Sequence, residues 1–266
     1  MAERKHTRQS LARKSCNLRV RKASRQTSAS DPGLDVGMPL RVLAVTAPQF
    51  GAGQIGCMAL SSGDAASLYN ACRYAAHLSE TGDPSWSASN WNTSRRVRRE
   101  SVLLLHDMDH ANRTLTKILP TLRPNLVLIS AMSICMPGAI AVAKTIRKEL
   151  GDDVLIVLGG RHVNETVYNV RGKVAHHAAS PLRLMASGRI APQFDLVVSG
   201  DGEAIIAEIG RSVASITAKG KPARDARFEL NRLLTAPGMW LAGIVDDDSI
   251  HIVRGQAGTL NYEMMP

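Results

Sequence analysis

The stretch 124–162, PNLVLISAMSICMPGAIAVAKTIRKELGDDVLIVLGGRH, constrains the fold more than any other part of the chain. An apolar run at 126–129 stops at Ser130. A loop with Pro137 and Gly138 then leads into apolar positions Ile140, Ala143, Ile146 and Leu150, and Gly151 precedes a second apolar run at 154–158. Runs without polar alternation suit strands covered on both faces, and a helix of about 12 residues between them is what a parallel crossover requires. Proline near the start and glycine just past the end fit helix termini. The two strands then finish at one edge of a sheet, so Ser130, Ala131 and Met132 emerge beside Gly159 and Gly160. Open α/β sheets bind their ligands at that carboxyl edge.

Three more apolar runs, 39–45, 101–105 and 194–198, read as strands. Apolar spacing marks helices at 65–78, at 112–119 (halted by Pro120) and at 205–216. Five strands alternating with helices predict an α/β domain over 38–217, a doubly wound five-stranded parallel sheet that is flavodoxin-like or Rossmann-like. A glycine-rich loop follows the first strand at 49–63, and a polar insertion with Trp86 and Trp91 occupies 80–100. The segment 164–193 has no clear pattern, and Ala175-His176-His177-Ala178 within it suggests helix. Residues 218–266 read as a linker with a small hairpin about Asp246-Asp247-Asp248. Such an architecture serves flavins, cobalamin, phosphoacceptor aspartates and sugar nucleotides alike, so it names no function.

The net charge of +10 is concentrated in a tail, residues 1–37, where nine Lys or Arg stand against Glu3 within the first 30 positions. A tail rich in Ser and Gln and poor in large apolar residues is expected to be disordered. Its composition admits a solvated extension, an anionic partner such as nucleic acid or lipid, or an organelle transit peptide. No apolar run approaches the roughly 20 residues of a membrane-spanning helix. Cys16, Cys57, Cys72 and Cys135 are scattered, without metal-site or disulfide spacing, and a cytoplasmic location is the expectation. His106, Asp107, Asp109 and His110 follow the second strand, but a phosphoacceptor site would need an aspartate where Ser130 stands.

Four signatures in order, NLVLISAM at 125–132, Pro137-Gly138, VLGGRHV at 157–163 and DLVVSGDGE at 195–203, resemble the cobalamin (B12)-binding domain that precedes the radical S-adenosylmethionine (SAM) domain in class B radical SAM enzymes. The resemblance covers about 40–217. It implies that the loop after strand three (Ser130, Ala131, Met132) and the double glycine after strand four (Gly159, Gly160) hold the dimethylbenzimidazole tail of the cofactor. His162, Gly200, Gly202 and Glu203 fall in the neighbouring loops of that site. A hydroxyl at Ser130 and a wall without side chains at Gly159-Gly160 suit a flat base. The loop after strand one, Thr46-Ala47-Pro48-Gln49-Phe50-Gly51, lacks the histidine that mutases use as lower cobalt ligand, which implies cobalamin bound base-off without a histidine. In this reading His162 is a loop residue near the ligand, and no residue is catalytic or ligates a metal.

Radical SAM chemistry needs three closely spaced thiolates for an iron–sulfur cluster, and the cysteines here do not supply them. The expectation is a cobalamin-binding module that needs a radical SAM domain or protein in trans, because the chain stops about where the radical barrel would begin. A regulatory nucleotide- or flavin-binding domain without catalytic activity is the alternative.

Overall fold

The apolar runs form strands because a core awaits them on both sides. The computed structural model describes residues 40–48, 102–105, 108–236 and 238–255, all within the unit Met38–Pro266. Strands β1 (Val42–Thr46), β2 (Val102–Leu104), β3 (Leu126–Ser130) and β4 (Leu155–Gly159) are followed by a two-stranded hairpin, β5 (Val167–Val170) and β6 (Lys173–His176). Strands β7 (Leu196–Gly200), β8 (Trp240–Asp246) and β9 (Ser249–Arg254) complete the set. The main sheet is mostly parallel, in the order β2-β1-β3-β4-β7-β8-β9, with β8 and β9 antiparallel.

Alternate residues of the central strands enter two cores. Leu43, Val45, Val127, Ile129, Ile156 and Leu158 meet helices α1 (Met108–Leu122) and α2 (Met136–Leu150) on one face. Val42, Ala44, Leu126, Leu128, Leu155 and Val157 meet α5 (Gly202–Ala218) on the other. Two short helices, α3 (Arg161–Thr166) and α4 (Pro181–Ala186), lie between β4 and β7 in the chain, and α6 (Leu230–Leu233) follows α5. Pro137 lies in the first turn of α2, and Gly151, at φ 56°, closes it in the left-handed region that glycine reaches without a Cβ clash.

Several expectations are corrected. The sheet has seven strands, not five, because the hairpin about the acidic turn does not stand apart: Gly200 of β7 pairs with Trp240 of β8, and Val197 with Gly243. Helix α1 begins earlier than 112 and runs past Pro120. A proline in the last turn removes one bond, to the carbonyl four residues back, while buried Leu115 and Leu119 hold that turn on the core. The helix stops where Arg123 turns to φ 41° and gives its N–H to Leu119 O at 2.9 Å. Ala175-His176 is strand, not helix. The two-residue turn Arg171-Gly172, with φ of 48° and 78°, has the twist that joins adjacent antiparallel strands, and Val170 and Lys173 pair across it. The expected tail at 1–37, the loop at 49–63, the helix at 65–78, the insertion at 80–100, and His106 and Asp107 lie outside the described residues. Asp109 and His110 open α1.

At the amino edge of the sheet, Asp195 precedes β7 with a side chain that is 0% exposed. Its carboxylate takes the Ile156 N–H at 2.8 Å, Arg224 Nε at 2.8 Å and a close contact from Arg147 Nη2. Arg224 also reaches Asp152 at 2.8 Å, and Arg147 reaches the Gly151 carbonyl at 2.6 Å. Burial pushes the Asp195 carboxyl up, and the two guanidiniums and the Ile156 amide pull it back.

Candidate functional site

At the carboxyl edge, register sets the geometry. Thr46, Ser130 and Gly159 are direct partners across β1, β3 and β4. Alternation places all three on the face that carries α5, since Ala44, Leu128 and Val157, two residues earlier in each strand, belong to that core. Thr46 Oγ1 accepts the Leu105 N–H at 3.2 Å, tying β1 to the end of β2. Ser130 is half-buried, and among the described residues its hydroxyl has no hydrogen-bond partner. A threonine already used, a serine still available and a glycine therefore stand in a row at the ends of neighbouring strands.

The glycines singled out in the sequence divide into two kinds. Among the described residues, a Cβ on Gly159 would meet only Val198 O, at 3.5 Å, and one on Gly202 only the tip of Ile206, at 3.6 Å, both ordinary contacts. A Cβ on Gly160 would lie 2.7 Å from Ala131 N and from Ser130 Oγ, at a backbone φ of 93°. One on Gly200, at φ 92°, would collide with the Met239 carbonyl. Gly160 and Gly200 serve the chain's own close packing. Between β3 and β4 the ends are zipped by Ala131 N–H to Gly159 O at 3.1 Å and His162 N–H to Ala131 O at 3.0 Å. The strand ends are thus joined, and Ser130 and Gly159 lie beside one another on the α5 face.

Ala131 points into the core with α1 and α2, and Met132 packs against that core, so neither presents its side chain beside Ser130. Gly138, in the first turn of α2, lies so close under the Pro48 carbonyl that a Cβ there would collide with it, which fixes the root of the loop after β1. Glu203 lies in the first turn of α5 with its side chain outside the described part.

His162 is 8% exposed. Its Nδ1 lies 3.0 Å from Ser133 Oγ, and Ser133 reaches Glu165 at 3.3 Å. Burial holds the imidazole below its usual range, against weaker opposing effects of the Ala179 backbone and Glu165. The Arg161 hydrogen bond keeps the Glu165 carboxyl below the usual range. His162 therefore serves as a neutral, hydrogen-bonded brace between the β3 and β4 loops. Cys135 is free and buried, and burial pushes its thiol up, away from reactivity.

The motif Ser199-Gly200-Asp201 is used mainly by the fold. Ser199 Oγ donates to Val167 O at 2.6 Å, Gly200 N–H donates to Asn164 Oδ1 at 2.9 Å, and Asp201 Oδ2 accepts the Met239 N–H at 2.9 Å. Beside it lies a groove of about 640 Å³ lined by Asn164, Tyr168, Ser199, Gly200, Met239 and Trp240. Sequence reasoning missed its outer wall, because that wall is β8 pairing with β7, and only the glycine at 200 hinted at a close neighbour.

Among the described residues, no group of three His, Cys, Asp or Glu side chains is placed to hold a metal, and no helix is long and apolar enough to cross a membrane. What these elements define is an α/β protein with a mostly parallel, Rossmann-like sheet. No protein-family model and no curated protein matches the sequence.

Proposed function

We propose that this chain is a cobalamin-binding module of the kind found in radical SAM methyltransferases. Its carrying observation is the register pair Ser130–Gly159: a half-buried hydroxyl and an open glycine, adjacent on one face at the carboxyl ends of β3 and β4. The parallel strands run in the order β2-β1-β3-β4-β7, and reading that order as doubly wound would put a ligand at the carboxyl edge. Ser130 would hydrogen-bond the nucleotide base of the cofactor, Gly159 would lie flat beneath it, and Gly202 would let the ligand approach the N-terminus of α5, where free N–H groups favour anionic oxygens. When bound, the cobalt of such a cofactor carries a methyl group between SAM and an unreactive carbon. The protein's part is placement. In this reading His162, with its Nδ1 on Ser133 at 3.0 Å, braces the loops beside the ligand, and the cobalamin is bound base-off without a histidine ligand. A radical SAM domain or a protein in trans, in the cytoplasm, would supply the cluster.

A flavin-binding regulatory domain is the second reading, favoured by the same strand order, in which flavodoxin places its flavin at the switch between β1 and β3. Titration with hydroxocobalamin and, separately, with FMN decides between them. A saturable change in the visible cobalamin spectrum, lost in Gly159→Val and weakened in Ser130→Ala, is expected; saturable binding of FMN alone would overturn the cobalamin reading.

A further inference from the structure

Strand β9 ends the sheet. The β8–β9 hairpin turns through Asp247-Asp248, so Asp246 and Ser249 form the hydrogen-bonded pair beside the turn. By alternation, Ser249, His251 and Val253 direct their backbone groups to β8. The N–H and C=O groups of Ile250, Ile252 and Arg254 point outward, and among the described residues no strand receives them. Such an edge templates further pairing unless proline, lysine, a bulge or a covering element prevents it. β9 holds no proline or lysine, and its six residues pair with β8 without a bulge. Along it runs a groove of about 560 Å³ bordered by Phe228, Leu230, Ile244 and Val253, with Phe228 53% exposed.

The charges indicate the occupant. Asp246, Asp247 and Asp248 crowd one end of this edge and Arg254 the other. Among the described residues none of the three carboxylates has an ion pair. Arg254 is exposed and places one guanidinium nitrogen on the Gly172 carbonyl at 2.7 Å, which leaves its charge without a carboxylate. An edge with opposite charges at its ends is complementary to itself run backwards.

We propose that the chain forms a two-fold dimer in which β9 pairs antiparallel with β9 of a second copy, continuing the sheet across the interface. A two-fold axis normal to the sheet keeps each face on its own side, so residues set opposite one another must point to the same face. Centring the axis on His251 meets that condition. It pairs Ile250 with Ile252 of the second copy through their outward groups and sets Asp248 against Arg254 of the second copy. Centring it on Ile252 also uses outward groups but sets Arg254 against Ile250, leaving each acidic turn without a counter-ion. Charge thus selects the His251-centred register, and Val253 of the second copy then faces the groove beside Phe228.

Sedimentation of the full chain at tens of micromolar tests this. A dimer that weakens with salt is expected. Ile252→Pro removes an outward donor without touching the β8–β9 bonds, and should weaken association by about tenfold or more. Asp248→Lys and Arg254→Glu should each be monomeric alone and associate when mixed, with circular dichroism reporting that both are folded. A monomeric wild type, a dimer indifferent to all three changes, or folded charge variants that fail to associate on mixing would each overturn the proposal. Association only with a different protein would do the same.

Discussion

At the amino ends of β4 and β7 two arginines and two aspartates are locked together around a carboxylate with no exposure, whereas the carboxyl ends of β3 and β4 hold a serine and a glycine with few close contacts among the described residues. One edge is cross-linked by charge and the other is left small and open. The difference separates tasks. Removing one member of a buried ion network leaves its partners charged and dry, which is costly, while a small residue facing open space carries little of the fold. Even within the open edge the separation recurs: Gly160 is held by the backbone around it, and Gly159 is not.

The sharpest break should come at Asp195. Asp195→Ala takes the buried carboxylate from Arg147 and Arg224, leaving them the Gly151 carbonyl and the exposed Asp152, and should cost about 3 kcal/mol in urea unfolding. At low temperature, where the variant remains folded, its cobalamin titration should match wild type. Gly160→Ala forces a Cβ against Ala131 at a left-handed φ and should cost about 1–3 kcal/mol by the same measurement. For that reason a bulkier change such as Gly160→Leu would report on folding and not on the ligand.

His162 gives a smaller, pH-dependent effect. Burial lowers its pKa, so the unfolded chain takes up the proton more readily than the folded one. Stability should therefore be full above about pH 6.5 and fall as the pH drops toward the lower folded value, by at most about 1.4 kcal/mol per pH unit. His162→Gln should flatten that part of a melting-temperature profile between about pH 7 and 5. The smallest effect on stability belongs to Gly159→Ala, whose new methyl meets only an ordinary contact at 3.5 Å. It should be neutral or stabilising by about 0.4–1 kcal/mol, since alanine restricts the unfolded chain, yet it should weaken cobalamin binding. A Gly159→Ala variant that binds as wild type would erase the distinction between the two glycines.

How far the sequence carries depends on the range of the interactions involved. Strands β1, β3, β4 and β7 are legible because both their faces are buried, which leaves continuous apolar runs. The β5–β6 hairpin was hidden by Ala175-His176-His177-Ala178, whose composition suggests helix, while the deciding signal was the Arg171-Gly172 turn between Val170 and Lys173. The attachment of β8 to β7 rests on pairing between strands far apart in the chain, such as Gly200 with Trp240, which no local pattern encodes. At the site, the register of Ser130 with Gly159 follows from the crossover. Which glycine faces a neighbour's backbone depends on Ala131 and Met239, and no motif around the glycines announces either contact.

The close seat of Gly138 under the Pro48 carbonyl has a consequence in mechanical terms. The end of β1 is held against the first turn of α2, and β2 holds the other side of that strand through Ala44, Val45 and Thr46, so a push on α2 at Gly138 is carried straight into the strand that borders the carboxyl edge.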